Sequence, residues 1–142
     1  KFLERYTQIM TTDIHLYKGV EELLNYLTEK SISWGIVTNK SAKFTLPILE
    51  KLNWHKQTCA IICPEDVYQT KPDPEGVLKA LNSINASIEG SFYVGDHERD
   101  IQTAKNANVK SVACTYGYYQ SDPLSWGADY IIDSPTEIKN IL

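Results

Sequence analysis

No apolar run in the chain approaches the roughly 20 residues that a membrane-spanning helix needs, and basic charge is in the minority. The first absence argues against a membrane partner. The second, a net charge of −4 and a pI near 5.3, leaves no basic footprint for a nucleic acid, so an anionic ligand has to be held by local chemistry. Cysteine is scarce as well: Cys59, Cys63 and Cys114 are the only three. An odd count, with no Cys-x-x-Cys and no His at ligand spacing, opposes a disulfide framework and a structural zinc site. All three read as small core hydrophobes in a reducing compartment, and the expected location is cytoplasmic. Internal repeats, low-complexity tracts and long linkers are absent too, which excludes solenoids and tethered arrays.

What remains is ordinary globular material, 42% hydrophobic and 23% charged, in 142 residues, a length suited to one domain with its own core. The spacing predicts helices over Phe2–Met10, Gly19–Lys30, Ser41–Leu52 with Phe44, Ile48, Leu49 and Leu52 inward, from Pro74 with Val77, Leu78 and Leu81 repeating, Arg99–Asn108, and Pro135–Leu142. Pro47 is expected to kink or shift the third of these, and Glu137 is placed for a capping box from Ser134. Strands are predicted over Ile32–Val37, Cys59–Cys63, Phe92–Gly95, Lys110–Cys114 and Tyr130–Ile132. Short strands alternating with helices indicate right-handed βαβ units, an α/β fold with a parallel sheet and helices on both faces.

Polar groups follow three of those strands. Gly95-Asp96-His97-Glu98-Arg99-Asp100 sets two carboxylates four residues apart where a strand becomes a helix; Thr38-Asn39 closes Trp34–Val37; Lys71-Pro72-Asp73-Pro74 opens a helix. Open parallel sheets bind ligands beyond the carboxyl ends of their strands. A hydroxyl, an ammonium and a carboxylate gathered there can compensate the charge of a phosphate ester beside a divalent cation. Backbone N–H groups of Asn39 and Lys40 can point at the same oxygens. Taken singly, Thr38 reads as a strand end and Lys71 as a solvated loop residue. Their joint appearance at separate strand exits reverses that preference.

These motifs resemble the second, third and fourth motifs of haloacid dehalogenase (HAD) superfamily phosphatases, and within them the phosphoglycolate phosphatase-like group. Gly19-Val20-Glu21-Glu22-Leu23-Leu24 is similar to the helix leading from the cap into the core of that group. Tyr116-Gly117-Tyr118, Trp126-Gly127-Ala128-Asp129 and Asp133-Ser134-Pro135 are similar to relatives acting on N-acetylmuramic acid 6-phosphate. The resemblance implies a Rossmann-like HAD core and an Mg²⁺-dependent phosphomonoesterase for a small phosphorylated metabolite, 2-phosphoglycolate by default. It implies that Thr38 and Lys71 are catalytic, that Thr38, Asn39 and Lys71 bind substrate, that Asp96 ligates Mg²⁺, and that Asp100 supports the metal.

One departure is large. The first motif of that superfamily, Asp-x-Asp-Gly-Thr, supplies the nucleophile that becomes an aspartyl-phosphate and the general acid/base, and no Asp-x-Asp occurs in this chain. The chain also begins with Lys1 rather than Met. The expectation is therefore the C-terminal portion of a longer phosphatase, inactive alone. Residues 1–16 would be the end of a helical cap, with Phe2–Thr12 its last helix, and 17–142 an HAD-like α/β core incomplete at its N-terminal strand. A missing central strand would leave two unpaired edges open to self-association. Two other classes compete: a non-catalytic HAD-like binding or regulatory module, and a phosphoacceptor signalling domain, which the order of the motifs disfavours because the carboxylates come last.

Overall fold

The structure is a computed structural model; it describes the backbone of residues 2–3, 7–10 and 13–16, and residues 18–117 and 120–142 in full. In chain order the elements are β1 (Phe2–Leu3), β2 (Thr7–Met10), β3 (Asp13–Leu16), α1 (Val20–Glu29), β4 (Gly35–Val37), α2 (Ala42–Lys51), β5 (Ala60–Ile62), α3 (Glu75–Ser83), β6 (Phe92–Gly95), α4 (Glu98–Asn106), β7 (Lys110–Cys114) and β8 (Tyr130–Ile132). Six strands form one parallel sheet in the order β5-β4-β1-β6-β7-β8, and β2 and β3 pair as an antiparallel hairpin.

Alternation along the strands divides the core between the two faces of the sheet. Ile36, Val94 and Val112 pack with Leu23, Leu27 and Leu49 of α1 and α2. Their neighbours Val37 and Tyr93 turn the other way, onto Val77, Leu81 and Ala104 of α3 and α4. The expected α/β fold, with a parallel sheet and helices on both faces, is what the chain forms. Trp34, Trp54 and Trp126 are buried packing residues, as their composition suggests. Among the described residues no helix is long and apolar enough to cross a membrane.

All four α-helices stop the same way. The residue after each C-cap has a left-handed backbone: Ser31 (φ 56°), Asn53 (φ 61°), Asn85 (φ 55°) and Asn108 (φ 59°). At each stop the next N–H bonds back to a carbonyl near the helix end: Ile32 to Leu27 (2.8 Å), Trp54 to Leu49 (2.9 Å), Ala86 to Leu81 (3.0 Å) and Val109 to Ala104 (2.9 Å). These are Schellman closures, and the two residues of each pair share a hydrophobic cluster. They turn the chain toward the strands that follow, β4, β5, β6 and β7.

The structure corrects several expectations. The described residues of the Phe2–Met10 segment are strands and not a helix: β1 pairs with both β4 and β6, and β2 pairs with β3 in the register Thr7↔Leu16 to Met10↔Asp13. β-Branched Thr7, Ile9 and Ile14 favour extended backbone, and the slot between β4 and β6 offers ladder groups that need partners. The two edges expected to be open are thus bridged at Phe2 and Leu3. Phe44 is 59% exposed and Leu78 38% exposed, because the buried stripes run through Thr45, Ile48 and Leu49 on α2 and through Val77, Ala80 and Leu81 on α3. Pro47 sits inside an α2 that keeps its full span. The terminal segment is a 3₁₀ turn, Pro135–Asn140, in which Glu137 accepts from the N–H of Asp133 (2.7 Å) while the Ser134 side chain makes no cap.

Ser31 is the one closure residue that is not Asn, and a non-glycine left-handed residue costs about 1–2 kcal/mol. Ser31→Gly is expected to raise unfolding stability by about 0.5–1 kcal/mol after the extra chain entropy of glycine is counted. Denaturant titration checks this; a loss of stability would contradict the reading.

Candidate functional site

The sequence-predicted groups converge at the C-terminal ends of β4, β5 and β6. Thr38 directly follows β4, and its N–H donates to the Ile62 carbonyl (3.0 Å), which extends the β4–β5 ladder by one bond. Its Oγ1 accepts from the Lys40 N–H (3.0 Å), which leaves the hydroxyl proton to donate to a ligand. That bond also commits the Lys40 N–H, so of the two amides expected to face phosphate oxygens only Asn39 keeps that reading. Asn39 also makes a contact that the sequence does not show. Its side chain clasps the backbone of Lys71, Nδ2 donating to the Lys71 carbonyl (3.3 Å) and Oδ1 accepting from the Lys71 N–H (3.2 Å). The amide therefore holds the loop that carries the cation. Thr38, Asn39 and Lys71 line one narrow recess together with Cys63 and Gly76.

Lys71 is 8% exposed and Asp100 2%. The Lys71 Nζ donates to Asp100 Oδ1 at 2.7 Å. Burial lowers the Lys71 pKa from its ordinary value, and the charge and hydrogen bond of Asp100, with a weaker contribution from Asp96, oppose that fall. The other oxygen of Asp100, Oδ2, accepts from the His97 N–H (3.2 Å) at the start of α4. His97 is half-buried and caps α4, its Nδ1 accepting from the Arg99 N–H (3.1 Å). Gly95 makes this packing possible, since a Cβ there would collide with the Asp100 side chain.

Asp96 ends β6 as a half-buried carboxylate. Gly117, in the loop after β7, passes so close that a Cβ would run into the Asp96 side chain. Among the described residues no group of three or more His, Cys, Asp and Glu side chains gathers around a single point. Mg²⁺ often takes only one or two protein carboxylates and fills its shell with water and phosphate oxygens, so Asp96, a hard oxygen donor at a strand end, fits one. Asp100 has both oxygens engaged by Lys71 and His97, which suits it to a place behind the cation site. Sequence reading missed the residues that hold the Lys71 loop. Glu75 accepts from the N–H groups of Tyr68 (2.9 Å) and Gln69 (3.0 Å), Asn106 donates to the Pro72 carbonyl (2.9 Å), and Glu65 accepts from Ser41 (2.7 Å) and the Ala42 N–H (3.0 Å). An acidic residue at the opening of α3 was the one signal for the first of these. Tyr116 packs partly buried against the core, and Tyr118 and Tyr119 lie outside the described residues.

The architecture is an α/β fold with one parallel sheet and a Thr, Lys and paired-Asp constellation near its strand ends. The family model described as haloacid dehalogenase-like hydrolase matches residues 1–114, and the chain belongs to this family. It is 35% identical over 144 residues to the N-acetylmuramic acid 6-phosphate phosphatase of Pseudomonas putida, covering all of this chain and 65% of that protein. It is 37% identical over 140 residues to the phosphoglycolate phosphatase of Xanthomonas campestris pv. campestris, covering 97% of this chain and 63% of that one. The chain thus spans less than two thirds of either relative. Among crystal structures, a predicted phosphoglycolate phosphatase from Haemophilus somnus superposes with a TM-score of 0.86 at 26% identity, over 92% of this chain and 59% of that one. A HAD-superfamily hydrolase from Geobacter sulfurreducens gives a TM-score of 0.78 at 25% identity, over 91% and 62%.

The thiol beside the recess tests the packing. Cys59 is exposed, whereas Cys63 and Cys114 are buried, and burial raises the Cys63 pKa, with the Asp66 carboxylate adding to it. In their folded state these 142 residues are expected to release one equivalent of chromophore rapidly from a disulfide thiol reagent at pH 8, from Cys59, and three after denaturation. Fast reaction of Cys63 in the native state would show that the recess is open.

Proposed function

We propose that the chain supplies the phosphate-binding and cation-binding half of a divalent-metal-dependent phosphomonoesterase for a small phosphorylated metabolite. The observation that carries this reading is the convergence of Thr38, Lys71 and Asp96 at neighbouring strand ends, with Lys71 fixed there by Asp100 at 2.7 Å. Thr38 donates its hydroxyl to a phosphoryl oxygen. The Lys71 ammonium, held in a dry setting where its charge is little screened, offsets the negative charge on the phosphoryl group and on the attacking carboxylate. Asn39 keeps that ammonium in place through the Lys71 backbone. Asp96 would hold Mg²⁺, which when bound supplies further charge compensation on the phosphoryl oxygens. The nucleophile, a carboxylate that forms an aspartyl-phosphate, belongs to an Asp-x-Asp motif outside these residues, and the chain alone is expected to be inactive.

For the substrate, the 37% identity to a phosphoglycolate phosphatase supports 2-phosphoglycolate or a close analogue. A specific observation favours N-acetylmuramate 6-phosphate as the second reading. A cavity of about 990 Å³ is lined by Tyr116, Asp133, Ser134 and Pro135, which belong to the stretches similar to enzymes for that sugar phosphate, together with Glu21 and Thr136. Its carboxylates and hydroxyls suit a ligand rich in hydroxyl groups.

The test is turnover of both phosphate esters by the full-length protein with Mg²⁺. Asp96→Asn is expected to abolish metal-dependent turnover, and Lys71→Ala to lower kcat by roughly two to three orders of magnitude, the scale of removing one charge-stabilising group. Near wild-type rates in either variant would refute the assigned roles. Hydrolysis of neither ester would remove both substrate readings.

A further inference from the structure

Tyr93 is fully buried on β6, and nothing in the phosphatase reading gives it work. Its hydroxyl donates to the Val37 carbonyl at 3.1 Å, and the Lys71 Nζ lies 5.7 Å from the centroid of its ring. Both contacts fall on the site, and they fall on different parts of it.

The first contact has a topological reason. Successive residues of a strand present their backbone groups to opposite neighbours. Thr38 donates to Ile62 of β5, so the Val37 carbonyl faces the other way, toward β1. Among the described residues β1 pairs with β4 only at Phe2↔Gly35, short of Val37. Tyr93 stands on the far side of β1, on β6, and its phenol reaches past the intervening strand to that carbonyl. The Val37–Thr38 peptide is thereby held at both ends, its carbonyl by Tyr93 and its N–H by Ile62, and the Thr38 hydroxyl is carried by that peptide. The second contact places the negative face of the ring near the Lys71 ammonium, an arrangement that favours the charged lysine. Burial raises the Tyr93 hydroxyl well above its ordinary pKa, so the phenol stays a neutral donor.

We propose that Tyr93 is a positioning residue of the phosphate site, a buried strut that fixes the Thr38 peptide from β6 and supports the Lys71 ammonium beside Asp100. The inference rests on the phosphatase reading for the purpose the strut serves, but the strut itself can be detected without substrate.

The experiment uses the full-length protein with Tyr93→Phe, which removes the hydroxyl and keeps the ring, and Tyr93→Leu, which removes both. The expected result for Tyr93→Phe is a displaced Val37 carbonyl ¹³C resonance with β7 resonances unmoved, and a kcat for phosphomonoester hydrolysis about tenfold lower, as for loss of one hydrogen bond to a reacting group's support. KM should change much less than kcat. Tyr93→Leu should lower kcat further and shift the Lys71 side-chain resonances. Wild-type kcat in Tyr93→Phe overturns the proposal, whatever the resonances do. If the wild-type protein hydrolyses no phosphomonoester, the functional reading fails and the resonances decide for Tyr93 alone: a displaced Val37 carbonyl in Tyr93→Phe supports the strut, and an unmoved one overturns it.

Discussion

A lysine and an aspartate buried against each other govern this site. Taking two charges out of water costs several kcal/mol each, and the cost is offset only when geometry and further hydrogen bonds are good. Lys71 and Asp100 meet at 2.7 Å, and the second Asp100 oxygen is satisfied by the His97 N–H. The pair links the loop after β5 to the first turn of α4, two segments with no covalent reason to meet. It also dictates smaller features: Gly95 because Asp100 lies over it, and the Asn39 clasp because the lysine backbone has to arrive at the right height.

The fold supports this arrangement by making strand ends coincide. The four described α-helices stop in the same left-handed closure, and each closure precedes a strand of the parallel sheet. The sheet is buried on both faces, so its strands cannot slide without exposing apolar side chains. Polar groups at the strand exits are thus placed by the packing of residues far from the chemistry. Stability and site geometry share the same contacts, as with Tyr93, which packs with Val77, Leu81 and Ala104 while its hydroxyl reaches the strand that carries Thr38.

What could be read in the sequence follows from how local each signal is. The strands before Thr38 and Asp96 show as apolar runs ending in polar groups, and the helix at Gly19–Lys30 shows by its spacing, because both patterns are written within a few residues. Thr38, Lys71, Asp96 and Asp100 stood out only jointly, because Thr38 and Lys71 taken singly read as a strand end and a solvated loop residue. The first residues were not: Phe2-Leu3 is a strand only because a slot between β4 and β6 receives it, which no short window records. The side of α2 that Phe44 occupies, the engagement of Asn39 with the Lys71 backbone and the reach of Tyr93 across β1 are likewise tertiary facts. The partner of the Asn39 side chain, a backbone 32 positions on, has no signature in sequence.

The most direct test of the account is a double-mutant cycle on the stability of the full-length protein, with Lys71→Met, Asp100→Asn and the pair together, followed by denaturant unfolding. If the buried pair is the organising contact, each single change leaves an uncompensated buried group and costs about 3–5 kcal/mol. The double variant should then cost less than the sum of the singles by about 2 kcal/mol or more. Additive losses, equal to the sum within about 0.5 kcal/mol, would contradict the account, because they would show that Lys71 and Asp100 are not coupled in the folded protein.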